Sequence, residues 1–229
     1  DFDRRQRFKN PYEMSKFWAE AYVREAVHNK VLQATILRPA ILVGRSYDGV
    51  ATAFEGFYGP LRALLTVQGF AERTLRLPPR RAVERWLHLP PLPLDIKIRG
   101  DPLGTQNLVP VDWAAQKMVD LLTAPPGTYH LVNPSPPTNQ AIAREVTRGL
   151  GIQEFSFRVR PRHDPLSDLY NRLVRPFSPY LWGEPVFTSS VAQDFPKLDL
   201  GRIISFWRGH AEGFREAAGA ATPEADRGP

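Results

Sequence analysis

Asn10-Pro11-Tyr12-Glu13-Met14-Ser15-Lys16 is the stretch on which the fold turns. Read as a helix, it places Tyr12 and Lys16, four residues apart, on one face and near enough to act on the same ligand. Pro11 suits a first helical turn, where its missing N–H costs nothing, and Asn10 before it can cap the free amides. Ser15, Ala19 and Glu20 carry the helical reading on to about Val31. A phenol gives up its proton only near pH ~10, so alone it is a poor acid–base group at neutral pH. An ammonium beside it favours the phenolate and draws that value toward the working range. The pair reads as a proton donor and acceptor for a carbonyl or alcohol, with the lysine also free to hydrogen-bond a sugar hydroxyl. Taken alone, the spacing fits an exposed helix with one buried tyrosine better, and it is the neighbouring sequence that favours the catalytic reading.

Outward from the helix comes Ala34-Thr35-Ile36-Leu37-Arg38-Pro39-Ala40-Ile41-Leu42-Val43-Gly44, a mostly apolar run of strand length, and 34 to 43 is expected to be one buried strand. With NPYEMSKFWAE before it and Ser46-Tyr47-Asp48-Gly49 after it, this region resembles the second half of an extended short-chain dehydrogenase/reductase. It is most similar to the branch of fatty acyl-CoA reductases and of the thioester reductase domains in carboxylic acid reductases and peptide synthetases. Two later stretches resemble the same family in the same order: Asn107-Leu108-Val109-Pro110-Val111-Asp112-Trp113-Ala114, and Tyr129-His130-Leu131-Val132-Asn133-Pro134. The resemblance runs from residue 8 to about 150.

That resemblance implies an α/β fold, the C-terminal part of a Rossmann-like doubly wound parallel sheet plus a mostly helical substrate-binding subdomain. It implies NADP (or NAD) as cofactor, with Tyr12 protonating a developing oxyanion and Lys16 lowering the tyrosine pKa and holding the nicotinamide ribose. Pro39, Ala40 and Ile41 are then expected along the nicotinamide and the substrate. The reading favoured is reduction of an acyl thioester or carbonyl compound, because the wall after the strand is apolar. A nucleotide-sugar epimerase or dehydratase, or a hydroxysteroid-type dehydrogenase, would use the same pair. A non-catalytic cofactor-sensing protein is disfavoured, since a sensor has no need of the proton donor.

The sixteen glycines include no G-x-G-x-x-G turn for a cofactor pyrophosphate, and no Ser or Thr precedes Tyr12. The expectation is a C-terminal portion carrying half an active site, inactive and marginally stable alone, since parallel strands need neighbours on both sides.

Composition narrows the class. Hydrophobic content of 42% and charged content of 24% fit a globular protein. Zero cysteine excludes disulfides and thiolate metal sites, and suits a cytoplasmic location. No stretch approaches the ~20 apolar residues of a membrane span. The net charge of +6 comes mainly from 24 arginines against 6 lysines. That balance reads as a solvated surface first and as an anion-binding surface second. Nucleic acid is not an expected partner, as aromatics and basic residues do not interleave in any RNA-reading pattern. The five histidines, at 28, 88, 130, 163 and 210, lack ligand spacing, so no metal is expected.

The resemblance implies a division into residues 1–49 (catalytic helix and strand of the core), 50–105 (substrate-binding excursion), 106–150 (return to the core) and 151–216 (C-terminal substrate cap), and composition marks 217–229 as a disordered tail. The excursion carries Phe54, Phe57, Tyr58, Leu61, Leu64 and Leu65 at partly helical spacing. After these come Arg73, Arg76, Arg80, Arg81 and Arg85, then prolines at 90, 91 and 93. Short strands are expected at 95–99, 105–109, 129–132 and 155–159. Helices are expected at 112–123, with Val111, Ala115, Met118, Val119 and Leu122 inward, and at 139–150. A helical cap is expected beyond Arg160, with Phe177, Tyr180 and Trp182 joining Phe54, Phe57, Tyr58 and Leu61 as the substrate wall.

Overall fold

The protein, seen in a computed structural model that describes residues 7–74, 92–183, 185–189 and 191–220, opens with helix α1, Pro11–His28. Asn10 is extended and its side chain accepts a hydrogen bond from the Glu13 amide at 2.9 Å, while Pro11 supplies the first helical residue. The helix stops three residues before the expected Val31. Lys30 turns left-handed at φ 58°, and the Val31 amide donates back to Ala26 O at 2.9 Å and Lys30 to Val27 O at 3.0 Å. This is a Schellman closure with a lysine where glycine is usual.

The run expected as one strand is divided into β1, Ile36–Pro39, and β2, Ile41–Val43. Successive amides of an extended chain point to opposite edges. Ala40 donates to Leu131 O at 3.0 Å and Ile41 to Asn107 O at 3.1 Å. So β1 pairs in parallel with β5, Thr128–Leu131, and β2 pairs in parallel with β4, Leu108–Pro110. A third parallel pair joins β3, Leu92–Arg99, to β6, Ile152–Arg158. β1 is only half-buried, with Pro39 exposed. Its one described partner strand is β5, and parallel strands are ordinarily covered more completely.

The stretches that resemble the reductase family meet pairwise. Asn107 Nδ2 donates to Asn133 O at 3.0 Å, and the Asn133 amide donates to Asn107 Oδ1 at 2.7 Å. Asp112 accepts from the Ser46 amide at 2.9 Å and from its hydroxyl at 2.6 Å. Between β2 and Ser46 the chain closes on itself: a Cβ on Gly44 would lie 2.1 Å from Gly49 O, and Gly49 is left-handed at φ +75°. Only glycine fits either place.

Helix α2, Tyr58–Thr74, lies in the main core with Tyr58, Leu61, Leu64, Leu65, Val67 and Ala71 buried. The same apolar cluster takes in β3, β6, α4 (Asn139–Leu150), α5 (Pro165–Leu173) and α6 (Leu200–Ala220). Helix α4 has the bounds expected, capped by Thr138 and closed by left-handed Gly151. The outer edge of β3 is covered by side chains of α5. Ser167 Oγ accepts from the Lys97 amide and Asn171 Oδ1 from the Arg99 amide, both at 2.9 Å, while Asn171 Nδ2 donates to Lys97 O at 2.9 Å. An open strand edge is thereby satisfied without another strand.

Helix α3, Val111–Asp120, buries a different face from the one its apolar spacing suggests. Trp113, Ala114 and, just past its end, Leu121 point inward, whereas Val119 is 59% and Leu122 79% exposed. Trp113 wins because its ring packs on Phe195 at 4.9 Å and its indole N–H reaches Asp194, which also pairs with Lys117 at 2.8 Å. The region expected as a helical cap is helical in α5, in the 3-10 turn Arg175–Tyr180 and in α6. Residues 185–189 and 191–199 form a largely irregular strap, with Ser189 donating to His130 O at 2.6 Å. Helix α6 continues to Ala220, into the segment expected to be a tail. The remainder of that tail, Arg76, Arg80, Arg81, Arg85 and the prolines at 90 and 91 lie outside the described residues.

Candidate active site

Tyr12 sits in the first turn of α1 with 66% of its surface exposed. Lys16, one turn on, holds its ammonium 5.4 Å from the centre of the Tyr12 ring. The phenol is free of protein hydrogen bonds among the described residues, so its O–H is available to a ligand. Pro39 is exposed at the end of β1, while Ala40 and Ile41 are half-buried with their amides taken by Leu131 and Asn107. Ala40 and Ile41 pack on the two apolar clusters, leaving the Pro39 ring as the most open surface of the three.

The structure brings Tyr12 and Lys16 together directly. It links them to Pro39–Ala40–Ile41 through Glu20 and Arg38, which spacing did not single out. Arg38 donates to Glu20 through Nε at 2.9 Å and through a terminal nitrogen at 2.6 Å. Arg24 adds a bond to Glu20 at 2.7 Å and another to Thr128 at 2.8 Å. Burial pushes the Glu20 carboxyl pKa up, but the hydrogen bonds from Arg38 and Arg24, with their charges, outweigh it and hold it below the usual range. His130 Nε2 lies 3.1 Å from Arg38. A guanidinium only donates, so that nitrogen accepts and the ring is neutral. Burial, then the Arg38 charge, keeps the His130 pKa below its ordinary value.

A second link runs from the helix start to the C-terminal region. Asn10 Nδ2 donates to the Tyr180 hydroxyl, and the Lys9 ammonium lies 5.0 Å from the centre of the Tyr180 ring. The cap role of Asn10 was legible in sequence; this long-range partner, 170 residues away, was not.

The expected apolar wall is mostly core. Phe57, Tyr58 and Leu61 are buried, Tyr58 with its hydroxyl accepting from the Gly44 amide at 2.9 Å. Phe54 stacks on His210 at 4.5 Å, and Phe177 is wedged against Gly59. These side chains are engaged in holding the fold. Tyr180 is half-buried and engaged by Asn10 and Lys9, and Trp182 is 45% exposed.

A parallel-stranded α/β core with a tyrosine–lysine helix docked on it defines the extended short-chain dehydrogenase/reductase class. The chain belongs to the male sterility protein family of NAD-binding domains, whose family model matches residues 1–118. NAD or NADP is accordingly the cofactor of this fold. The fold is shared with the terminal R domain from the myxalamid PKS-NRPS biosynthetic pathway, at 20% identity over 87% of this chain and 49% of that one, TM-score 0.55. It is shared too with a thiolation-reductase di-domain from an archaeal non-ribosomal peptide synthetase, at 16% identity over 93% and 43%, TM-score 0.59. UDP-glucose 4-epimerase from Bifidobacterium longum, in complex with NAD+ and UDP, aligns at 15% identity over 90% and 56%, TM-score 0.51. The chain thus spans about half the length of these structures. At such identities the likeness shows the fold alone. No curated protein matches the chain. Among the described residues no helix is long and apolar enough to cross a membrane.

Proposed function

We propose that the protein containing this chain reduces an acyl thioester or carbonyl compound with NAD(P)H, using Tyr12 as proton donor. The observation that carries the reading is the exposed, unbonded Tyr12 phenol with the Lys16 ammonium over its ring, on a helix pinned to β1. These residues fit the nicotinamide end of the cofactor: Lys16 to hold the ribose, and Pro39, Ala40 and Ile41 to lie beside the ring. When bound, the nicotinamide supplies a hydride to the carbonyl carbon. The carbonyl electrons move to oxygen, and Tyr12 gives that oxygen its proton. The Lys16 charge stabilises the phenolate left behind. Residues 1–49 and 106–150 serve the cofactor side in this reading, and 50–105 with 151–216 the substrate side. A cytoplasmic setting accords with it.

The nucleotide-sugar reading uses the same pair and shares the fold of the epimerase above. An assay of NADPH absorbance with acyl-CoAs, long-chain aldehydes and nucleotide sugars separates the two. Oxidation with thioesters or aldehydes is expected; activity confined to nucleotide sugars overturns the reductase reading.

A further inference from the structure

Beside the 3-10 turn that ends in Tyr180 lies a cleft of about 320 Å³, lined by Arg99, Val174, Arg175, Ser178, Leu181 and Trp182. Arg99 ends β3 and lies in register with Arg158, the last residue of the neighbouring parallel strand β6. Like charges placed directly opposite on adjacent strands oppose each other. Arg158 is partly neutralised by Glu154 at 3.3 Å. Arg99 and Arg175 have no ion pair or side-chain hydrogen bond among the described residues. The Asn171 amide on the same wall is already committed to the edge of β3. What the cleft offers is therefore two unpaired guanidiniums together with the Val174, Leu181 and Trp182 side chains, while the Ser178 hydroxyl already donates to Arg175 O at 2.8 Å. Guanidiniums match phosphate oxygens in geometry as well as charge. In open parallel sheets, ligands collect beyond the carboxyl ends of the strands, which is where Arg99 stands.

Tyr180 ties this cleft to the candidate active site. It precedes Leu181 and Trp182 in the chain and accepts a hydrogen bond from Asn10, the cap of the helix that carries Tyr12.

We propose that the cleft is a binding site for a phosphate ester borne by the substrate's carrier arm, with Arg99 and Arg175 on the phosphate and Trp182 and Leu181 against the arm. The identity of the carrier rests on the thioester reading; the phosphate chemistry rests on the cleft alone. Calorimetric titration of the full-length protein with 4′-phosphopantetheine, with pantetheine and with UDP tests both. Phosphopantetheine is expected to bind at least tenfold more tightly than pantetheine. Arg99→Gln with Arg175→Gln should erase that difference and leave the Kd for NADPH and the turnover of a short unphosphorylated aldehyde unchanged. Arg175→Gln alone, at an exposed position, should still cost at least threefold. Equal affinity for the two pantetheines, together with no arginine-dependent binding of UDP, overturns the site. So does a preference that survives the double substitution. Arginine-dependent binding of UDP without phosphopantetheine keeps the phosphate site and overturns the thioester carrier instead.

Discussion

Glu20 on α1 and Arg38 on β1 face each other through two hydrogen bonds, 2.9 and 2.6 Å, with their side chains only 13% and 29% exposed. This pair docks the helix of Tyr12 and Lys16 on the strand that ends at Pro39. Its low exposure sets it apart from surface pairs, which contribute little.

Glu20→Gln is expected to lower stability by about 2 kcal/mol, the scale of lost hydrogen bonds to a charged group, read as a drop in the urea midpoint at pH 7. The Glu20 pKa is depressed in the fold, so its contribution is full above the unfolded carboxylate value of about 4.3 and fades as pH falls below it. His130 is depressed too, and its contribution fades as pH falls below about 6.5. The wild type should weaken in two acid stages, with the lower one reduced in Glu20→Gln. An identical acid profile in the variant contradicts the anchoring role.

Tyr12→Phe in the full-length protein should abolish nearly all turnover and barely change cofactor affinity. The hydroxyl is free to donate a proton, and the ring is not part of either apolar cluster. Retention of more than about a tenth of wild-type kcat, a loss short of one decade, assigns the proton to another group.

Lys16→Ala should weaken both cofactor binding and turnover, because one ammonium serves the ribose and the phenolate. Residual activity should shift to higher pH. An unchanged Kd for NADPH rules out contact with the ribose.

Lys30→Gly should stabilise the protein. A left-handed lysine costs roughly 1–2 kcal/mol, and glycine's greater unfolded freedom returns part of that, leaving a gain of about 0.5–1 kcal/mol. Thermal melting should rise by about 2 °C for a chain of this size. A fall in the melting temperature would mean the lysine side chain is itself holding the helix end.

The helix start, the tyrosine–lysine pair, the α4 bounds and the family were legible in the chain because each rests on local rules: capping, one-turn spacing and short ordered motifs. Apolar spacing proved less informative about destination. Phe57, Tyr58 and Leu61 satisfy a wall and a core equally well by composition, and only packing assigns them to the core. In α3 two stripes compete, and the strap that brings Asp194 and Phe195 to Trp113 decides between them. The division of residues 36–43 into two pairings follows from where β4 and β5 lie, which no property of the run itself specifies. The same holds for Glu20 with Arg38 and for Asn10 with Tyr180. Side-chain type and local spacing depend on near neighbours, so sequence determines them. A hydrogen bond across 18 or 170 residues exists only once the sheet and helices have set its two ends within 3 Å.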